Sequence, residues 1–446
     1  MQKVIDEKTP VKPLFSEAIK FWFILGWISF GGTTGHITIM HDFLVEKKKW
    51  VSNSKFYHAL NACMVLPGPE AHQLAIYLGW KLHGKKGGIV AGLFFILPSM
   101  LILLGLSIIY ARYGNTSLLT SIFNGLKPAV LAIILFATWK VGKKALITPF
   151  HFFIAALAFV LSYFFKIPMP FIIFGIIGMG ILIYLTVPNF LLPKDRLQQK
   201  NEERISEDLF YINSNQSNPK ISLKKLGMQA IVFIGLWLVP FLVVINFLND
   251  SDFWKSSSLL FTKAAFFTIG GSYTVIPYVA NVVTNKVMWL TKTQMIDGFA
   301  LAETTPGPLV IVLAYIGFMA GFNHFDGSLI MGVIGLLVAG YFTFLPNFIL
   351  IFMGAPLIER SQDNLLIKSV LSLVTAAVVG VIINLAFYLG EDILFHNHAV
   401  SYLNINVLSL IWVVLSLILL YRFKLSMIYL IVLSLLFGLL KYFIGL

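Results

Sequence analysis

The chain has 446 residues, of which 58% are hydrophobic and only 12% charged, and its mean hydropathy is +0.85. Apolar runs of about 20 residues recur along most of it. These values exclude a soluble protein of this size, which needs amphipathic surface helices and far more charge to stay dissolved. The net charge of +13 would point to nucleic acid in a soluble chain. Here Lys and Arg cluster in short segments between apolar spans, where the positive-inside rule places them, so no nucleic-acid partner is expected.

The expected fold is an all-α polytopic membrane protein. Residues 1–13 read as a polar cytoplasmic tail; no small-residue cleavage site follows the first apolar segment, so that segment is expected to stay in the mature protein. Spans are predicted near 15–40, 52–80, 87–111, 123–142, 149–165 and 168–188, within a first transmembrane repeat of 14–190. A polar cytoplasmic linker, 191–222, follows, then a connecting span within 223–250. The second repeat, 251–446, holds spans near 259–283, 291–321, 327–353, 366–389, 403–421 and 425–444. The thirteen spans put the N-terminus in the cytoplasm and the C-terminus outside. This count takes each Pro-Gly-Pro segment as one broken crossing; the alternative is a re-entrant hairpin that fails to cross. Charge placement modestly favours the crossing, but at the cost of leaving Lys47, Lys48 and Lys49 outside.

Sliding the sequence against itself by 239 positions aligns Gly31 and Gly32 with Gly270 and Gly271. The same shift aligns Trp50 with Trp289, and Pro67-Gly68-Pro69 with Pro306-Gly307-Pro308. After a small gap, "FFILPSMLILL" at 94–104 faces "FTFLPNFILIF" at 342–352. Ordered Gly-Gly, Trp and Pro-Gly-Pro anchors are the mark of an internal duplication. Two sets of six spans joined by one extra span must point in opposite directions, which gives two inverted repeats.

The Pro-Gly-Pro segments sit inside apolar sequence. Prolines 67 and 69 remove amide donors and clash with the preceding turn, while Gly68 lets the chain change direction. Carbonyls freed by such a break need protein or water partners, so the segment should face a cavity rather than lipid. A helix restarting there points unpaired amides and a positive dipole end at the break, which suits an anion. The Gly pairs, in "SFGGTTGHI" and "TIGGSYTVIP", carry neighbouring hydroxyls at Thr33, Thr34, Ser272 and Thr274 that add donors. A Gly pair alone is equally a packing device. Paired interruptions in inverted repeats are the pattern of secondary transporters with a midplane substrate site.

Glu70 and His72 follow the first Pro-Gly-Pro, Glu303 precedes the second, and His36 follows the first Gly pair. Glu70 and Glu303 are candidates for carrying protons or tuning anion occupancy; the other reading is a carboxylate that caps helix-start amides. His72 joins them as a proton-coupling candidate, although His36 and His72 read first as hydrogen-bonded packing residues. Lys127 and Lys263 are candidate cations for an anion, or lysines that reach toward an interface. Cys63 stands alone and no residues have ligand spacing for haem, flavin, iron-sulfur or another metal, so no cofactor and no metal are expected. His396 and His398 flank an acidic loop and read as solvated surface.

"SFGGTTGHITIMHDFLVEKKKW", "ALNACMVLPGPEAHQLAIYLGW" and "LAETTPGPLVIVLAYIGFMAG" closely resemble the paired signatures of the chromate ion transporter family in its long, two-domain form. The likeness spans about 14–190 and 255–446. It implies bacterial inner-membrane chromate efflux, with sulfate as a related oxyanion. It also implies motif positions at Gly31, Gly32, His36, Pro67, Gly68, Pro69, Glu70 and Gln73 in the first repeat. In the second repeat they fall at Gly270, Gly271, Glu303, Thr304, Thr305, Pro306, Gly307 and Pro308. Thr33 and Thr34 stand where family members often have Pro-Ala.

The expected function is therefore a secondary transporter that exports chromate, driven by membrane potential, protons or anion exchange. Chromate is a tetrahedral dianion that only accepts hydrogen bonds, so helix starts and hydroxyls suit it. Moving a dianion out of an inside-negative cell is favoured by about 4.6 kcal/mol per 100 mV. The rivals are a sulfate or other oxyanion transporter, importers included, and a membrane enzyme acting on phosphorylated lipids. An enzyme would need an Asp-rich metal motif or a nucleophile constellation, and the sequence has neither, so no enzyme is expected. The sequence leaves a homo-oligomer open.

Overall fold

The computed structural model describes residues 12–30, 32–187, 209–213, 223–354, 365–395 and 405–444. Gly31, residues 1–11 of the tail, most of the linker, and His396 and His398 lie outside the described residues. Among the described residues the chain is helical, with two isolated β-bridges. The first repeat comprises α1 (Phe15–Ile28), α2 (Gly32–His41), α3 (Asn53–Val65), α4 (Glu70–Tyr113), α5 (Ser117–Ala145), α6 (Pro149–Tyr163) and α7 (Met169–Thr186). After α8 (Leu223–Phe247), the second comprises α9 (Ser251–Phe267), α10 (Ile276–Asn281), α11 (Lys292–Glu303), α12 (Val312–His324), α13 (Leu329–Ile349), α14 (Leu365–Leu394), α15 (Val407–Tyr421) and α16 (Met427–Ile444). Seven helices are long and apolar enough to cross a membrane, and α6 and α15 are shorter apolar helices.

The broken segments reverse direction instead of crossing. α1 stops at Ser29, and α2, prolonged by a π-turn over Asp42–Lys47, comes back. Lys48 pairs with Glu17 at 2.6 Å, and the rings of Phe21 and Phe43 stack 4.0 Å apart. α3, capped by the Ser52 hydroxyl accepting from the Lys55 amide, runs in to the Pro-Gly-Pro break. The first arm of α4, 70–82, then runs back out, which brings Lys81 close enough to Lys55 for their charges to interact. At His83 and Gly84 the chain turns again (Gly84 φ +66° and ψ −161°), and the second arm, 85–113, continues as a through helix.

Two of the six predicted spans in each repeat are thus re-entrant hairpins. The reason is length: an arm of 13 residues reaches about 20 Å, some two thirds of the hydrocarbon core, before the break turns it round. The reversal also returns Lys48 and Lys49 to the face where α1 begins. The crossing count had put them on the opposite face.

The second repeat copies this plan. Asp250 caps α9 and meets His324 at 2.7 Å, and the Phe253 ring lies 5.0 Å from that of Trp289. At the start of α11 a capping box joins Thr291 and Gln294. Asn323, at the end of α12, donates to both Trp289 O (2.8 Å) and Gln294 Oε1 (3.0 Å). Both ends of each hairpin therefore lie on one face.

The two sets of hairpins enter from opposite faces and touch at their tips. The second arm of α4 carries Tyr110 to the root of the second repeat's α11, where its hydroxyl donates to Asp297 at 2.8 Å. α13 runs the other way, placing the Phe348 and Phe352 rings against the first arm of α4 near His72 and Trp80. Around this core the repeats exchange partners: α6 and α7 pack on α14, and α15 and α16 pack on α5. His151 of α6 bonds Ser372 of α14 at 2.6 Å, and Tyr163 donates to Glu391 at 3.1 Å.

Candidate functional site

The tips meet through two backbone hydrogen bonds that are images of each other. The Gly68 amide donates to Thr268 O at 2.5 Å, and the Gly307 amide donates to Ser29 O at 2.7 Å. Gly307 and Thr268 each lie 239 positions after their counterparts, Gly68 and Ser29. Each Pro-Gly-Pro glycine therefore donates to the carbonyl of the C-cap residue of the helix that leads into the other repeat's Gly-Gly pair, supplying one of the partners such a break demands in hydrocarbon. Both glycines have positive φ, 129° at Gly68 and 98° at Gly307, which side-chain-bearing residues rarely adopt.

A second reciprocal contact holds each tip from behind. Asn347 in α13 lies against Gly68, so that a β-carbon there would sit 2.0 Å from its Oδ1. Ser99 in α4 lies against Gly307, and its hydroxyl donates to Pro306 O. Ser99 and Asn347 each follow a helix-interior proline, Pro98 and Pro346. They face each other in the internal alignment, in "LPS" and "LPN", a sign that was readable in the sequence.

Most of the predicted residues gather here. Pro67 O accepts from Gln73 Nε2 at 2.5 Å, and Pro69 and Pro308 are the residues from which α4 and the helical turn before α12 restart. Gly32, Glu303, Thr305 and Gly307 share a crevice with Phe30 and with Met427, Ile428 and Ile431 of α16. Its accessible volume of ≈10 Å³ is about that of one water molecule. Tyr273, from the second Gly-Gly tip, donates to Glu303 at 3.2 Å. Gly270 lies against Val378 of α14, and Gly271, with φ +118°, leads into a 3₁₀ turn containing buried Ser272. Several hydroxyls are spent locally: Thr304 on Leu301 O (2.7 Å), Thr305 on Ala302 O (2.8 Å) and Thr274 on Gly271 O (2.7 Å). Thr33 is half-buried one residue after Gly32.

The carboxylates are not images of each other. Glu303 ends α11, whereas Glu70 opens α4, in the register position that Leu309 holds in the second repeat. His36 is buried, and its Nε2 lies 2.7 Å from Ser29 O, the same carbonyl that accepts from Gly307. His72 Nε2 lies 3.2 Å from Gly92 O amid the rings of Phe95, Phe344 and Phe348. Both histidines therefore spend one ring nitrogen on the backbone.

The two lysines lie elsewhere. Lys127 pairs with Asp297 at 3.1 Å, with only 12% and 6% of their side chains exposed, in a buried cluster with Tyr110 that joins α4 and α5 to α11. Lys263 is exposed on the outer side of α9. Asp297 carries no sequence signal because it stands well before the Pro-Gly-Pro anchor, whereas Tyr273 lies within "TIGGSYTVIP", two residues after Gly271, and its nearness to that anchor could have found it. Among the described residues no group of three or more His, Cys, Asp or Glu gathers as a metal would require.

Through helices, re-entrant hairpins and tips that meet across an inverted repeat define a polytopic membrane protein whose breaks converge in its interior. The family model for "Chromate transporter" matches residues 16–182 and 256–439, one match for each repeat. The chain belongs to the chromate transporter family. It is 28% identical over 393 residues to a "Probable chromate transport protein" of Synechococcus elongatus, covering 87% of this chain and 88% of that one. To a "Chromate transport protein" of Pseudomonas aeruginosa it is 30% identical over 377 residues, covering 83% and 78%. An "Uncharacterized transporter YwrB" of Bacillus subtilis is 32% identical over 136 residues, which is 29% of this chain but 69% of the relative. No solved structure matches the chain.

Proposed function

We infer that the protein carries chromate outward across the bacterial inner membrane, holding the dianion where the tips of the two repeats meet. The observation that carries this reading is the reciprocal junction of Gly68 with Thr268 and Gly307 with Ser29, set in a chain whose two halves both match the chromate transporter family. Helices restart at Pro69 and Pro308 with first-turn amides and a positive dipole end directed at that junction. The site residues are Gly32, Thr33, His36, Pro67 to Glu70 and Gln73 from one repeat, with Gly31 added on its place in the sequence motif. Gly270 to Ser272 and Thr304 to Pro308 come from the other.

The bonds between tips close the path in the arrangement described above, so transport requires them to part. Two hairpin sets that enter from opposite faces give the molecule a means of opening to each face in turn. Glu70 stands at the first position of α4, where its negative charge competes with an incoming anion for the same amides. Proton uptake by Glu70, and by Glu303 beside the crevice, clears that competition and couples anion movement to pH. Orientation follows charge: Lys48, Lys49, Lys55, Lys81, Lys85 and Lys86 share the face where α1 begins, which makes that face cytoplasmic.

Expression in a chromate-sensitive bacterium tests this directly. Cells carrying the correctly inserted protein should accumulate less chromate than control cells, and unchanged accumulation refutes chromate export. Vesicles of both orientations, loaded with chromate or with sulfate of the same shape and charge, distinguish export from import and one oxyanion from the other.

A further inference from the structure

The internal symmetry of the tips fails at one point, in a way that bears on the ligand. Behind the second repeat's Pro-Gly-Pro, the Ser99 hydroxyl donates to Pro306 O, and the position matching Gln73 is Val312. Behind the first repeat's Pro-Gly-Pro stand two carboxamides, both fully buried. Gln73 Nε2 donates to Pro67 O at 2.5 Å and to Asn347 Oδ1 at 3.3 Å. This fixes the orientation of Asn347, because turning its amide over would set one NH₂ group against another. Asn347 Nδ2 is left buried with no hydrogen-bond partner, as is Gln73 Oε1. An unmet buried donor is costly, and such a group in a native fold needs an explanation.

We propose that Asn347 is a substrate-contacting residue, and that the anion is held chiefly at the first repeat's Pro-Gly-Pro break, between the start of α4 and the free amide of Asn347. This deepens the transport reading above and rests on it. Two independent features converge at the break. The 13-residue first arm of α4 begins there with unpaired first-turn amides, and the Asn347 carboxamide packs on Gly68 through its Oδ1, leaving both N–H groups of its buried Nδ2 unspent. A tetrahedral oxyanion accepts hydrogen bonds from both sources. The second repeat offers a spent hydroxyl and a valine at the same places, so its break serves as the partner that closes the site. Asn347 was not among the residues that the sequence motifs single out.

The test is initial-rate chromate flux through the purified full-length protein in proteoliposomes, comparing wild type with Asn347→Ala, Asn347→Asp and Ser99→Ala. Losing a hydrogen bond to a charged ligand should raise the chromate KM of Asn347→Ala by about tenfold or more, with kcat held within about twofold. Asn347→Asp, which sets a fixed negative charge against the dianion, should abolish flux. Ser99→Ala should keep KM within about twofold of wild type. Asn347→Ser installs the residue that the other repeat uses at this position and serves if the alanine variant does not fold. It should show an intermediate KM, because one donor replaces two. A wild-type KM in Asn347→Ala or Asn347→Ser, or a larger KM effect from Ser99→Ala, overturns the assignment while leaving transport itself intact. If the wild type carries sulfate in place of chromate, the same ratios are read with sulfate. A wild type that moves neither anion overturns the transport reading, and this assignment with it.

Discussion

At the residue scale, the ion pair of Lys127 and Asp297 is the clearest case of a charge whose role is set by its partner. Lys127 was legible in the sequence as a cation within an apolar span, but its partner was not, since Asp297 lies 170 residues away in the other repeat. Spacing along one chain carries no record of such a meeting. In a buried pair, removing one partner strands the other, at a cost of about 3–5 kcal/mol, whereas replacing both with apolar groups of similar volume is often nearly neutral. Asp297→Leu and Lys127→Met should therefore each lower the thermal unfolding temperature of the detergent-solubilised protein by several degrees. The double variant Lys127→Met with Asp297→Leu should recover most of that loss. Additive losses in the double variant would show that the two side chains act independently.

At the element scale, the sequence showed where helices break but not which way they go afterwards. Pro67, Gly68 and Pro69 announce an interruption, and Gly68 at φ 129° is what a reversal needs. A kinked crossing and a re-entrant hairpin use the same residue types, however. Only tertiary contacts separate them: Glu17 with Lys48, Lys55 near Lys81, and Asn323 with Gln294. The inverted arrangement of the repeats was readable because each repeat has an even number of through helices in either scheme, six or four, so the single connecting helix turns the second repeat over. The hairpins predict a labelling pattern. In a Cys63→Ser background, single cysteines at Lys48 and Lys81 should react with a membrane-impermeant maleimide from one side of sealed vesicles, and cysteines at Met288 and Asn323 from the other. Labelling of positions 48 and 81 from opposite sides would mean that the first Pro-Gly-Pro segment crosses.

At the scale of the whole molecule, the duplication was plain in the sequence, but the exchange of partners was not, because apolar helices of similar composition carry little mark of which neighbour they face. α6 and α7 lean on α14, and α15 and α16 lean on α5, so each repeat supplies the lateral wall of the other. Cutting the chain within 191–222 and expressing both parts together should yield a complex that co-purifies and transports. Either part alone should be degraded and give no flux; an active single part would show that the walls are dispensable. The tip contacts carry a further consequence. Since the bond from Gly68 to Thr268 and the bond from Gly307 to Ser29 are one contact made twice, an ancestor encoding a single repeat would have formed both by pairing with an identical copy inserted upside down. Such a gene product must settle in the bilayer in both orientations with comparable frequency. Fusing the two copies through one additional helix, α8, removes that need by fixing the two orientations within a single polypeptide.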